Sequence, residues 1–459
     1  MDTPCMKHPY FLGIGGIGMS ALACHYLQEG CKVTGYDRVS TPLTRKLEAM
    51  GARIHYEENP ALVPPDADAV IYTPAVPATH KEWEEIRRRK LPVYKRAEIL
   101  GMLSRRYKTL AVAGTHGKTT VSAMLAYLMH GSIGCNAVLG GVVPDLGGNY
   151  LHHPHSPFLV TEADEYDRSF LQLRPWFSVV TAWDADHLDI YGDVETMRAA
   201  YVQFMRQSRH FIAQASLRLP LAPDYRYGTE EAVAALQDGK RAYASSVEVK
   251  ERRYVFDYVG PGAVIKDLAL ACPGRHNVEN AVAAISLALE AGVSPQEIRR
   301  LLPLFKGVRR RLECCCVLPD VAYYDDYAHH PAEISASIKA LREFYPDHRL
   351  VVFFQPHLYS RTRDLAEGFA RSLQEADELC LVDIYPAREA PLPGVSTRTI
   401  GERISRVPVT YAAKENVLEQ VERQCAGRRG KLLLASMGAG DIDTLVEPVK
   451  AFLQKGGAA

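Results

Sequence analysis

The chain has 459 residues, 47% hydrophobic and 24% charged, which is enough for roughly two to four domains with cores of their own. Its 54 basic and 54 acidic side chains cancel, excluding the global field that draws a protein to nucleic acid or to an anionic membrane. No apolar run approaches the roughly 18 residues of a membrane span, the N-terminus has no signal-like segment, and the ten cysteines form no CxxC pair, so the expectation is a cytoplasmic chain with reduced thiols.

Residues 10 to 18 read YFLGIGGIG. An apolar-periodic helix through about Gln28 follows, then a strand from Lys32 to Tyr36 that ends at Asp37. Gly13, Gly15 and Gly18 supply GxGxxG between strand and helix, with Asp37 about twenty residues on, which predicts a Rossmann-like nucleotide-binding domain. NAD is the usual ligand of such a loop. A second glycine loop close behind argues instead that the first holds a different diphosphate, a nucleotide or nucleotide sugar. Further βα units follow, with strands at Ala69 to Thr73 and Pro92 to Tyr94 and helices at Lys81 to Arg89 and Ala97 to Leu103. The first domain should end near Tyr107, and Arg87 to Lys90 reads as a solvated helix face.

The second loop is Thr109 to Thr120, TLAVAGTHGKTT: a short apolar strand, a glycine turn, then an amphipathic run from Val121 to Met129. Such glycines let consecutive N–H groups converge on a phosphate, the helix N-terminus adds partial positive charge, and Lys118 adds a full one. Thr119 is placed to offer its hydroxyl to a phosphate-bound Mg²⁺. The full Walker pattern is GxxxxGK[ST]; here Val112 stands at its first glycine.

Two acidic strand ends come next. Phe158 to Thr161 leads into Glu162-Ala-Asp164-Glu165-Tyr-Asp167, and Phe177 to Ala182 leads into Trp183-Asp184-Ala-Asp186-His187-Leu-Asp189. Ligands of open parallel sheets sit at the carboxyl ends of strands, which puts both clusters beside the lysine loop as an oxygen-rich site suited to Mg²⁺. Residues 215 to 270 carry only strand-like alternation, at Arg252 to Tyr258 and Ala263 to Ile265. Pro273 to Asn280 then introduces an Ala-rich helix to Glu290, with His276 and Asn280 on one face of its first turn; an amide there can read a base edge or cap the helix.

A composition change at Phe305 to Gly307, before Arg309 to Arg311, marks the second boundary. Strands at Val321 to Tyr324, Leu350 to Phe354, Glu378 to Asp383 and Lys431 to Ala435 alternate with helices at Pro331 to Phe344 and Asp364 to Glu375, which implies another doubly wound α/β domain. Its strand ends carry Asp325-Asp326-Tyr327-Ala328-His329-His330 and Gln355-Pro-His357-Leu-Tyr-Ser-Arg361-Thr-Arg363. Without further ligands at zinc spacing, the paired histidines fit anionic-substrate binding better than a metal.

Taken together, GIGGIGMSA (13 to 21), GTHGKTT, EADEYDRSF, DADHLDIY, PGRHNVENA, DDYAHHP, FQPHLYSRTRDL, YPAREAPLPG and GAGDI (438 to 442) resemble the Mur ligase family of bacterial cell-wall synthesis, in the family's order and over nearly the whole chain. The resemblance, strongest to the alanine-adding branch, implies a three-domain α/β chain. Residues 1–107 would form a Rossmann-like UDP-sugar domain, 108–306 a central P-loop ATPase-type mixed sheet, and 307–459 a doubly wound α/β domain. It also implies ATP-dependent joining of L-alanine to UDP-N-acetylmuramate through an acyl phosphate, with ATP and Mg²⁺, by a monomer or weak homodimer.

Carried over residue by residue, the resemblance gives the loop Gly114, Thr115, His116, Gly117, Lys118, Thr119 and Thr120 to ATP. Glu162 and His187 join Thr119 as metal contacts. His276 and Asn280 face adenine, Arg311 the phosphates and Asp326 the ribose. Tyr327, His329 and Arg361 lie where the sugar carboxylate and amino acid meet, with His329 the nominee for the amine proton, and Gly15, Gly16, Gly18, Ser20 and Asp37 hold the UDP portion. Two positions depart or discriminate. Leu358 stands where many members have an arginine, and Tyr201 where sister ligases keep a carbamylated lysine that the alanine-adding branch usually lacks. The rival readings are a ligase of the same family that attaches a whole tripeptide, a nicotinamide-dependent oxidoreductase, and a nucleotide-regulated binding protein.

Overall fold

The glycine turn after Leu12 opens the first of three sheets in the computed structural model, which describes residues 6–184, 188–236, 239–387 and 389–457. Five strands lie in the order Arg53–His55, Thr34–Tyr36, Pro9–Leu12, Ala69–Tyr72, Val93–Lys95, every pair parallel. Parallel strands are covered on both faces, which is why Pro9–Leu12 is an unbroken apolar run buried at every position. The helix Pro42–Ala49, not foreseen, starts on two signals the sequence does contain: Thr41 caps Thr44 N–H, and Pro42 takes the first turn.

The second sheet has ten strands, and Lys108–Ala113 lies inside it between Phe177–Val180 and Phe158–Ala163, parallel to both. Beyond Phe158–Ala163 come Asn136–Val143 and the antiparallel edge Gly148–Leu151. On the other side the order runs His210–Gln214, Tyr225–Thr229, Arg241–Lys250, Arg253–Gly260, Ala263–Leu270. The stretch hardest to read from sequence is therefore mostly strand. Arg241–Lys250 is buried at only two of its positions, Ala242 and Ala244, so little apolar patterning marks it.

The chain divides into two compact units. The first comprises the residues up to Ser245, Asp257–Lys266 and Glu279–Leu302; the second comprises Ser246–Phe256, Asp267–Val278 and Pro303 onward. Within the first, the five-stranded sheet and the lysine-loop part of the ten-stranded sheet share one apolar core that includes Leu22, Leu103, Phe170, Tyr201 and Phe204. Polar ties reinforce it, among them Asn149 Nδ2 donating to the Ile17 carbonyl at 2.6 Å and Lys95 paired with Asp167 at 3.1 Å.

The second unit holds a six-stranded sheet in the order Glu313–Val317, Val321–Asp326, Leu432–Met437, Arg349–Phe354, Glu378–Val382, Val409–Ala412. It is parallel except for its first edge strand, and Val321, Val351, Val421, Leu432 and Leu434 fill one core. The helix expected over 364–375 is present as Ala366–Leu373, and a separate short helix that was not expected, Tyr359–Asp364, precedes it across Leu365, whose backbone (φ −109°, ψ 13°) is not helical. One expectation is corrected. The strand expected to stop at Tyr324 runs on through Asp326, because both acids find buried hydroxyl partners, Ser436 for Asp325 and Ser337 for Asp326.

Candidate active site

The lysine loop forms at the carboxyl end of Lys108–Ala113. Gly114 (φ +140°) and Gly117 (φ +82°) take conformations that L side chains rarely adopt. A Cβ at Gly114 would also lie 2.7 Å from the Ala182 nitrogen, and one at Gly117 2.8 Å from Asn280 Oδ1. The glycines thus permit a close approach as well as a turn, and Asn280 stands beside the loop. The helix Lys118–His130 begins with no side-chain cap, so its first N–H groups, which have no intrahelical partner, point out of the turn.

Both acidic strand ends reach this loop, as expected. Glu162 is opposite Val112 in the strand register. Its carboxylate accepts from Gly140 N–H at 2.8 Å, the Thr119 hydroxyl at 3.2 Å and the Ser122 hydroxyl at 3.4 Å. Burial pushes the Glu162 carboxyl above its ordinary range, against the pull of Gly140 N–H, Lys118 and Thr119. A carboxylate and a hydroxyl converging in a site that disfavours an uncompensated negative charge form a donor set that fits a hard divalent cation, which takes few protein oxygens and leaves room for phosphate. From the other strand end, Asp184 N–H donates to Thr115 Oγ1 at 3.2 Å, and His116 lies 3.8 Å from the Asp184 carboxylate. His187 lies outside the described residues.

The acidic run from Glu162 divides its work. Asp164 and Asp167 face Arg96 at 4.0 Å and Lys95 at 3.1 Å. Glu165 instead turns inward, fully buried, and grips Lys118 Nζ with both oxygens at 2.8 and 2.7 Å, while the Gly114 carbonyl accepts from the same nitrogen at 2.7 Å. Positive φ at Asp167 (51°) and Arg168 (55°) marks the bend just beyond. Sequence reasoning placed Glu165 in the cluster without giving it a role. Gly140 was missed, although a Gly-Gly pair inside the apolar run Asn136–Val143 is a signal of close backbone approach. Tyr201 is fully buried in the apolar core and packs edge-on against Phe170 at 5.2 Å.

The first glycine loop is closed by Asp37, whose carboxylate accepts from Gly15 N–H at 2.7 Å. Gly16, exposed, precedes the uncapped helix Ile17–Gln28, another free helix N-terminus. A Cβ on Gly18 would press on Arg96 at 2.9 Å. Ser20 is buried, its hydroxyl donating to the Ile17 carbonyl and accepting from Asn149, so its side chain braces the turn.

In the second unit, Arg310 and Arg311 both lie over the Tyr327 ring, at 4.9 and 5.4 Å. Arg311 is exposed; Arg310, missed from sequence, bonds the Gly438 and Gly440 carbonyls at 2.5 and 3.1 Å. Strand alternation sends the two neighbouring acids to opposite faces. Asp326 accepts from the Ser337 hydroxyl and from Leu312 N–H at 3.3 Å, and burial raises its carboxyl. Asp325 accepts from Ser436 Oγ at 2.5 Å with Arg310 Nε at 3.8 Å, and burial raises it to about 7.

His329 Nδ1 is 3.0 Å from the Tyr327 carbonyl, which can only accept, so Nδ1 carries the hydrogen and Nε2 keeps its lone pair. Burial lowers its pKa, Glu333 opposing and the charges of Arg361 and Arg311 adding. Its ring packs on Tyr327 and lies 6.4 Å from His357. Leu358 has φ 70°, strained for its residue type, and is held by its N–H on the Tyr385 carbonyl at 2.9 Å and by the Thr362 hydroxyl on its own carbonyl at 2.7 Å. Arg361 is half-buried in the short helix that follows, and His276 is exposed in the first turn of Arg275–Glu290. Among the described residues no three His, Cys, Asp or Glu side chains converge as a metal-holding group.

Three family models match successive stretches: the Mur ligase family catalytic domain over residues 8–108, the Mur ligase middle domain over 112–288 and the Mur ligase glutamate ligase domain over 310–440. A UDP-N-acetylmuramate–L-alanine ligase of Parabacteroides distasonis is 42% identical, covering 99% of this chain and 99% of its own. The crystal structure of a UDP-N-acetylmuramate-alanine ligase from Thermotoga maritima superposes with a TM-score of 0.82 at 28% identity, covering 98% and 100%. A murein peptide ligase from Psychrobacter arcticus has the same fold, with a TM-score of 0.66 at 21% identity over 97% and 98%.

Proposed function

The chain belongs to the Mur ligase family, and from that premise we propose that it is the ligase that joins L-alanine to the lactyl carboxylate of UDP-N-acetylmuramate, converting ATP to ADP and phosphate, in peptidoglycan precursor synthesis. The observation that carries this reading is the end-to-end similarity to a ligase of that name, 42% identical over 99% of both chains.

Amide formation from a carboxylate and an amine in water is uphill, and carboxylate oxygen is a poor leaving group. ATP removes both obstacles. The lactyl carboxylate attacks the γ-phosphorus and expels ADP, giving an acyl phosphate. The alanine amine then adds to its carbonyl carbon, loses a proton, and expels inorganic phosphate. Catalysis of such transfers is mainly positioning and charge stabilisation.

In this scheme the backbone of Gly114 to Thr120 cradles the phosphates, and Lys118 and Arg311 offset charge on them. Thr119 and Glu162, with His187, would hold Mg²⁺, which on binding neutralises phosphate charge. His276 and Asn280 receive adenine and Asp326 the ribose, Ser337 being the partner it must yield. Gly15, Gly16 and Gly18 take the UDP portion at the free helix N-terminus that Asp37 and Ser20 brace. Tyr327, His329 and Arg361 gather the reacting carboxylate and the amino acid. The lone pair on Nε2 of a His329 kept neutral by burial suits acceptance of the amine proton.

We divide the chain at about residues 107 and 306, into UDP-sugar, ATPase and C-terminal domains, and place it in the cytoplasm as a monomer or weak homodimer that binds neither nucleic acid nor membrane. Among the described residues no helix is long and apolar enough to cross a membrane.

ADP release with UDP-N-acetylmuramate and ATP, measured with L-alanine or with the tripeptide as acceptor, tests the reading. Stimulation by L-alanine is expected. Stimulation by the tripeptide alone would make the chain the family's tripeptide-attaching ligase, and stimulation by neither would make it a nucleotide-binding protein without ligase activity.

A further inference from the structure

Lys118 carries three N–H donors, and all three are taken, by the Gly114 carbonyl and by the two oxygens of Glu165. A phosphoryl group can reach this ammonium only by displacing one of them. Glu165 is not a loose surface acid. Its side chain is fully buried, and its own carbonyl accepts from the Tyr191 hydroxyl at 2.6 Å. An exposed pair of this kind would be worth little against water, whereas a buried one stays formed because neither charge can be left alone. Glu162 stands on the next helical position's hydroxyl, Thr119, at 3.2 Å. An incoming polyphosphate therefore meets a lysine whose charge is already matched, with a second carboxylate alongside.

Resting on the function proposed above, we propose that Glu165 is a positioning residue for Lys118, holding the ammonium over the Gly114 turn when no nucleotide is present and competing with the terminal phosphate for it when nucleotide arrives. The ordered lysine needs no rotamer search at the moment of binding, which is the benefit. The cost is that bare nucleotide binds against a buried anion, so binding depends on an accompanying divalent cation to offset it.

ADP is the probe, titrated calorimetrically into the whole chain first with EDTA and then with Mg²⁺. Glu165→Gln keeps the shape and removes the charge. Its affinity for ADP in EDTA is expected to rise about tenfold, and with Mg²⁺ by about threefold or less. A merely structural Glu165 would give the opposite sign, a loosened loop and weaker ADP under both conditions; that result, or an unchanged affinity in a folded variant, would overturn the inference. Should the variant not fold, the wild-type complex with a non-hydrolysable ATP analogue decides. Lys118 on a phosphate oxygen, with at least one of its two hydrogen bonds to Glu165 broken, supports the role; both hydrogen bonds to Glu165 still intact overturns it. Wild-type protein that bound no ADP in either condition would defeat the proposed function itself, whereas wild-type binding without tightening in the variant defeats only the role of Glu165.

Discussion

Lys118 was legible in the sequence because a glycine-lysine turn between a strand and a helix has few other uses, but its partner was not. Glu165 lies 47 residues away in a run of four acids, and nothing in that run tells which one turns inward. The pairing changes how a substitution must be read: Lys118→Ala would strand a fully buried carboxylate, so lost activity in that variant reports on folding as well as on phosphate contact. Asp325 and Asp326 pose the same problem, being adjacent and alike in sequence yet sent by the strand pleat to different partners. Asp325 holds its proton up to about pH 7 in the folded chain because it is buried, with Ser436 and Arg310 opposing. The unfolded carboxyl titrates at about 3.9, so between those values the native state binds more protons and stability falls as pH rises, by about 1.4 kcal/mol per pH unit. Asp325→Asn removes that slope. Urea unfolding of both proteins at several pH values between about 4 and 7 should show the variant gaining on wild type as pH rises, and parallel curves would contradict the assignment.

Among the elements, the long parallel strands and the helix Pro331–Phe344 were readable because burial on both faces, or on one stripe, writes itself as apolar periodicity. Arg241–Lys250 was not, since it is half-exposed along its length, and neither was the short helix Tyr359–Asp364, in which Thr362 alone is buried and so writes no apolar stripe. Asn136–Val143 escaped notice too, and it carries the amide that fixes Glu162. A Cβ on Gly140 would sit 2.5 Å from Glu162 Oε2 and 2.6 Å from its carboxyl carbon. Gly140→Ala should therefore push the carboxylate off Thr119. The Mg²⁺ concentration for half-maximal alanine-dependent ADP release is expected to rise about tenfold, the scale on which groups that orient a metal ligand act. An unchanged Mg²⁺ requirement would mean that Glu162 does not serve the metal.

At the scale of the whole molecule, the proposed residues fall on both compact units. Lys118, Glu162 and the UDP-side glycines belong to the first, and Arg311, Asp326, Tyr327, His329 and Arg361 to the second. Motif order along the chain conveyed this division of labour better than any local pattern, because each motif alone is short enough to occur by chance while their succession is not. It could not convey that the first two sheets share a core, since Leu22 and Phe204 come into one apolar cluster only once the helices that carry them are packed. In the proposed reaction, phosphoryl transfer to the sugar acid precedes amide formation. The decisive experiment turns over UDP-N-acetylmuramate labelled with ¹⁸O in its lactyl carboxylate with ATP and L-alanine: one labelled oxygen should leave in the inorganic phosphate, and phosphate free of label, with amide still formed, would rule out the acyl phosphate.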